Sequence, residues 1–267
     1  IKKFDENRNF NGTKPVWLTE KVENAYRGSV PVWIDKAAQQ QQDFVTAFPK
    51  NQIRKIRMKD YVPGKTPLDE NTFSYMLEYG SNEFGGDRSG GISAVDAKYV
   101  VRTDKKTQRL KYPDKHFASV KEAYNKTINL IADCVDAAGE FDKDKDWQKL
   151  ADTIYEKIEN QPRTPYLLII TKTIAMYYPE HFFPFWAHSY LDKVMDLFGI
   201  QHKEGEKFYE KMKRLVDVKE SHAIMEKWNN NYFREFVTAM TGGYIFTDDE
   251  PETPLLKFLK DEMEMRA

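Results

Sequence analysis

A single cysteine, Cys134, is present among 267 residues. One cysteine excludes an intrachain disulfide and a cysteine-based zinc site, and it fits a reducing, cytoplasmic setting. Long hydrophobic runs are also missing. Nothing approaches the roughly 18 apolar residues that a spanning helix needs, so no membrane partner is expected. The richest apolar stretch, residues 166–170, suits a buried helix. Neither sign of charge is in excess: 41 Lys and Arg stand against 42 Asp and Glu, a net charge of −1. Any nucleic-acid binding must therefore come from a local basic patch. The first ten residues are polar and contain no leader, and a chain without an initiating Met is expected to be part of a longer one. Aromatic residues, by contrast, are plentiful, with 17 Phe, 15 Tyr and 5 Trp. A disordered chain lacks that content, so a folded core is expected.

The pattern along the chain divides it into four parts. Residues 1–49 read as a peripheral segment with short helices over 16–27 and 37–48. Residues 50–115 combine a basic helix, a glycine-rich loop and a strand. The helix carries Lys50, Arg54, Lys55, Arg57 and Lys59. After a Pro/Gly turn, Asp69 or Asn71 is placed to N-cap a helix through Tyr79, with Gly80 as its C′ residue. Gly85, Gly86, Gly90 and Gly91 mark the loop, and residues 97–103 read as a strand. Residues 116–246 are helical. Phe117, Val120, Tyr124, Ile128, Ile131 and Val135 step by three and four, the signature of one apolar helix face, with an end expected near Gly139. Further faces are Trp147/Leu150/Ile154/Ile158, Leu191/Val194/Met195/Phe198 closed by Gly199, Phe208/Met212/Leu215, and Ile224/Trp228/Tyr232/Phe236. Pro165 opens another helix that Pro179 stops. Residues 247–267 form an acidic linker and a terminal helix. The fold class expected is α+β and predominantly helical, with a small sheet-containing middle section followed by a helical, bundle-like part.

Most catalytic signatures are absent. Gly64-Lys65-Thr66 ends like a P-loop, but Lys59 stands where the motif needs glycine and Pro67 follows where a helix must start. No Gly-x-Ser-x-Gly elbow is present. Cys134 falls beside an apolar helix face as a small core residue. The five histidines form no His-Glu-x-x-His pair. His181 and His188 flank an aromatic run, residues 182–186, that reads as a packed corner. No catalysis, metal or cofactor is expected. One enzymatic alternative has a foothold: Asp96-Ala97-Lys98, with Asp87 or Glu78 as the earlier acid, matches part of a Mg²⁺-dependent nuclease site. Residues 85–91 are ambiguous between a phosphate cradle and a flexible turn.

Residues 71–79 (Asn71-Thr72-Phe73-Ser74-Tyr75-Met76-Leu77-Glu78-Tyr79), Phe84-Gly85-Gly86, Gly90-Gly91-Ile92-Ser93-Ala94 and Lys98-Tyr99 together resemble the region upstream of the motor in McrB-type AAA+ NTPases of modification-dependent restriction systems. Residues 177–184 and 191–200 resemble that region's "Leu-Tyr-Pro…Phe-Leu-Pro" and "Leu…Phe-Gly-Ile" segments. Met76 stands where the family has Trp, Val100 where it has Gly, and Asp96 intrudes before Lys98. The resemblance implies a DNA-recognition module, with modified-base sensing as an added role. It also implies an AAA+ motor domain in the same polypeptide or complex and a nuclease subunit as partners.

Two basic clusters are candidates for contacting double-stranded DNA. One contains Lys50, Arg54, Lys55, Arg57 and Lys59. The other contains Arg88, Ser89, Lys98, Arg102, Lys105, Lys106, Arg109 and Lys111. Such residues position phosphates without reading sequence. A flipped base would stack on aromatics, for which Tyr75, Tyr79, Phe84 and Trp186 are candidates by type. The competing reading is a helical protein-interaction scaffold, which predicts an exposed apolar patch at residues 182–186.

Overall fold

The computed structural model describes residues 32–62, 71–78, 100–103, 109–113, 115–159, 163–185, 188–222 and 225–240. Over these residues the chain is predominantly helical. It forms two compact units, one spanning Lys36–Ala187 and the other including the chain from His188 onward.

The first unit is built around helix α6 (Arg163–Tyr177). From Tyr166 to Tyr177 every residue except Leu168 is buried, which accounts for its lack of a polar face. Its hydroxyls are satisfied locally: Thr171 donates to the Leu167 carbonyl at 2.8 Å and Thr173 to that of Ile169 at 2.7 Å. Against it pack α4 (Val120–Asp144) and α5 (Trp147–Ile158). Both begin with a side-chain cap. Ser119 Oγ accepts from Glu122 N at 3.2 Å, Glu122 accepts in turn from Ala118 N at 2.8 Å, and Asp146 accepts from Lys149 N at 2.9 Å.

Helix α4 does not end near Gly139, as its sequence suggests, but five residues later at Asp144, with Lys145 in the left-handed conformation (φ 55°) as its cap. Gly139 serves a different purpose: a Cβ there would lie 2.7 Å from the Tyr178 hydroxyl. The aromatic corner after α6 is packed as expected. Phe182, Phe183 and Phe185 are buried, and the Phe182 ring lies 5.3 Å from Phe141 and 5.6 Å from Trp147.

Helix α1 (Val32–Ala47), the strap that follows it, a single turn α2 (Met58–Tyr61) and α3 (Phe73–Glu78) cover this core. Their shared contact is aromatic. Phe73 meets Phe44 at 5.2 Å, Phe48 at 5.3 Å and Tyr61 at 5.6 Å. The cap of α3 is Thr72, whose carbonyl accepts from Met76 N, one residue later than Asn71. Asp69, Tyr79 and Gly80 lie outside the described residues.

Among the described residues the expected sheet consists of two rungs. Strand β1 (Arg102–Thr103) pairs antiparallel with β2 (Leu110–Lys111), Arg102 opposite Lys111 and Thr103 opposite Leu110. Of the expected strand over 97–103, residues 97–99 lie outside the described residues, Val100 leaves the extended region with a φ of 59°, and Arg102–Thr103 are strand. Val100 and Val101 are both buried, which an alternating strand with one buried face does not allow.

In the second unit, α7 (His188–Leu197) buries Leu191, Val194 and Met195. It ends in a Schellman motif at Gly199 (φ 66°), where Ile200 N donates to Met195 O at 2.9 Å and Gly199 N to Asp196 O at 3.0 Å. Helix α8 (Phe208–Ser221) buries Phe208, Met212 and Leu215. Helix α9 (Asn230–Met240) starts later than the spacing of Ile224 and Trp228 suggests. Asn229 caps it, accepting from Tyr232 N at 2.8 Å, so Trp228 sits before the helix. Phe198 and Phe233 stack at 5.8 Å between α7 and α9.

Candidate nucleic-acid interface

The first basic cluster is not one helix. Residues Lys50–Lys55 form a 3-10 turn, Ile56 and Arg57 are extended, and α2 follows. Ile53 is buried and Ile56 half-buried, so the segment lies as a strap with its apolar side inward.

Two phenols fasten its backbone on either side of the 3-10 turn. Tyr177 on α6 donates to the Phe48 carbonyl at 2.5 Å, and Tyr124 on α4 donates to the Ile56 carbonyl. Burial pushes both phenols up, Tyr124 to about 12, so both stay protonated donors through the physiological range. Lys50 Nζ lies 4.8 Å from the centre of the Tyr178 ring, within cation–π range.

The five cations differ in their partners. The Arg54 guanidinium bonds Asp136 at 2.8 Å and also Asp133, both on α4. Those hydrogen bonds, Asp136 first, raise the Arg54 pKa further. Asp133 has a second, longer contact at 3.9 Å with Lys157 of α5. Arg57 forks onto Asp60, Nε at 2.5 Å and the terminal nitrogen at 3.1 Å. Lys55 and Lys59 are exposed, with no carboxylate partner among the described residues.

The second cluster is described only in part. Arg109 is exposed, and Arg102 lies in β1. Arg88, Ser89, Lys98, Lys105 and Lys106 lie outside the described residues, as do the alternative nuclease residues Asp87 and Asp96. Of the stacking candidates, Tyr75 is half-buried on α3, while Tyr79, Phe84 and Trp186 lie outside the described residues. Among the described residues no group of three or more His, Cys, Asp or Glu is arranged to hold a metal ion. No helix among them is long and apolar enough to cross a membrane. Cys134 is buried, its thiol pushed up to about 12 by desolvation, which makes it a poor nucleophile.

Sequence reading missed one charged feature. Glu78, at the end of α3, and Lys172, in the middle of α6, form an ion pair at 3.1 Å with side chains 2% and 6% exposed. A lysine inside an apolar run, Leu167–Met176, was the available signal.

The patch that a scaffold would expose is not there in its described part, since Phe182, Phe183 and Phe185 are buried. No known family model matches the chain, and no curated protein and no solved structure is significantly similar to it.

Proposed function

We propose that this chain is a DNA-recognition module of a restriction or anti-phage defence system. It acts in the cytoplasm beside an AAA+ motor of the McrB type and a nuclease on another subunit, and it performs no catalysis itself. The observation that carries this reading is the strap. It is a short basic segment fastened to the helical core by two phenol–carbonyl bonds, and it leaves Lys55 and Lys59 exposed to solvent. A fixed pair of cations on a chain of near-zero net charge is a local electrostatic site for the phosphate backbone. The family resemblance supports the reading too. Two of the segments that carry it belong to one packed core, where Glu78 of the first pairs with Lys172 on the helix that runs into the second.

The test is fluorescence anisotropy with labelled duplexes, unmodified or bearing 5-methylcytosine or N6-methyladenine, across a salt series with and without Mg²⁺. The expected result is binding that weakens as salt rises, with no strand cutting. A preference for one modified duplex identifies the base sensed. Absence of binding at low salt rejects the reading. Mg²⁺-dependent cutting abolished by Asp96→Ala replaces it with the nuclease of Asp87, Asp96 and Lys98.

A further inference from the structure

Within this interface we infer a division of labour that the sequence does not display. Lys55 and Lys59 contact the DNA phosphates, and Arg54 is a positioning residue that clamps the strap to α4 without touching DNA. The inference rests on the DNA-recognition reading and specifies which strap cations carry it.

Arg54 already has two anionic partners. Asp133 and Asp136 stand three residues apart on α4 and so share a face, and the guanidinium fork spans both. Moving Arg54 to a phosphate would exchange two carboxylates for one anion. It would also leave Asp133 and Asp136 uncovered, facing the approaching strand, where like charges repel. Arg57 is held within the strap by both oxygens of Asp60. Lys55 and Lys59 lack such competition, and a lysine ammonium suits phosphate as a point charge.

The clamp sets where those ammonium groups start. Arg54 lies between the two fastened carbonyls, Phe48 and Ile56, and immediately precedes Lys55. With the backbone fixed before binding, no ordering of the strap has to accompany DNA contact. Releasing the clamp therefore weakens binding without removing a phosphate contact.

The slope of log affinity against log salt separates the two roles, because it counts phosphate contacts at about 0.9 each on duplex DNA. The full chain is measured on one unmodified duplex. Lys55→Gln with Lys59→Gln is expected to flatten the slope by about 1.8. Arg54→Gln is expected to lower affinity about fivefold at every salt concentration, in keeping with the cost of ordering a freed segment, with the slope unchanged. Circular dichroism confirms that each variant is folded.

A wild-type slope in the double lysine variant overturns the inference. So does a slope about 0.9 flatter in Arg54→Gln. In each of these cases duplex binding by the wild type leaves the recognition reading standing. No binding by the wild type takes both down.

Discussion

Glycine inside a helix costs about 1 kcal/mol relative to alanine, yet Gly139 occupies the interior of the 25-residue helix α4. The reason is Tyr178, whose hydroxyl occupies the space a Cβ would take, 2.7 Å away, while the ring carbon behind it is 3.7 Å away. Gly139→Ala is therefore expected to destabilise the protein by about 1 kcal/mol, overpacking outweighing the propensity gain. In a Tyr178→Phe background the same substitution should be neutral or stabilising. Urea denaturation of the four proteins measures this, and equal costs in both backgrounds would clear the hydroxyl of blame. The sequence could not reveal this role, because a glycine after an apolar face looks the same whether it ends a helix or admits a neighbour. The Glu78–Lys172 pair makes the complementary case. Removing one member breaks a buried ion pair and takes a charged partner from the other, so Lys172→Met should cost about 3–5 kcal/mol. Adding Glu78→Gln to that variant should recover most of the loss. A double-mutant cycle with no coupling would show that the pair contributes nothing specific.

Elements were legible where one physical rule dominates. Helices α4, α5, α7 and α8 each bury the face that three-and-four spacing marks, because each has a wet side and a dry side. Reading failed where that rule competes with another. The Asn229 cap overrides the apparent periodicity from Ile224, and two consecutive buried valines, Val100 and Val101, defeat the strand. In the strap, cations interspersed with isoleucines fit a helix as well as a turn, and the 3-10 turn observed is flanked by carbonyls that accept from phenols on α4 and α6, contacts no local pattern displays. Helix ends also carry the acid sensitivity of the fold. Asp142, near the end of α4, is held below its ordinary value by the hydrogen bond from Lys145 and then by that from His181, at 2.8 and 2.6 Å. Asp144 is lowered chiefly by Lys149, and Glu122, at the start of α4, chiefly by Lys126. A carboxylate depressed in the folded state binds fewer protons there than in the unfolded chain. Its contribution is complete above the ordinary carboxylate value, about 4, and is lost as pH falls through the depressed value. The thermal midpoint should accordingly drop between about pH 5 and about pH 2, and less steeply for Asp142→Asn. An unchanged pH profile in that variant would remove Asp142 from the account.

At the scale of the molecule the deciding quantity is the near balance of charge, −1 over 267 residues. A strongly basic protein draws DNA to its whole surface, whereas this one must rely on local groups of cations that no carboxylate claims. Many described side-chain charges are already paired, as in Lys143–Glu140, Lys149–Asp144, Lys211–Asp192 and Lys213–Asp217, which is why charge counts along the sequence overstate the surface available to a polyanion. The size of the salt effect then reports which cluster binds. Two contacts, from Lys55 and Lys59, give a slope of about −1.8, so raising salt fourfold should weaken binding about twelvefold. Contributions from Arg88, Lys98, Arg102, Lys105, Lys106 and Arg109 would add about 0.9 each, and any five of these six would turn the same step into a loss of about several thousandfold. A titration at about 50 and 200 mM salt distinguishes the two. A loss near tenfold assigns recognition to the strap, which then acts as a weak, sequence-independent grip that gains affinity from whatever else holds the duplex. A loss in the thousands makes the second cluster the principal contact and reduces the strap to an accessory.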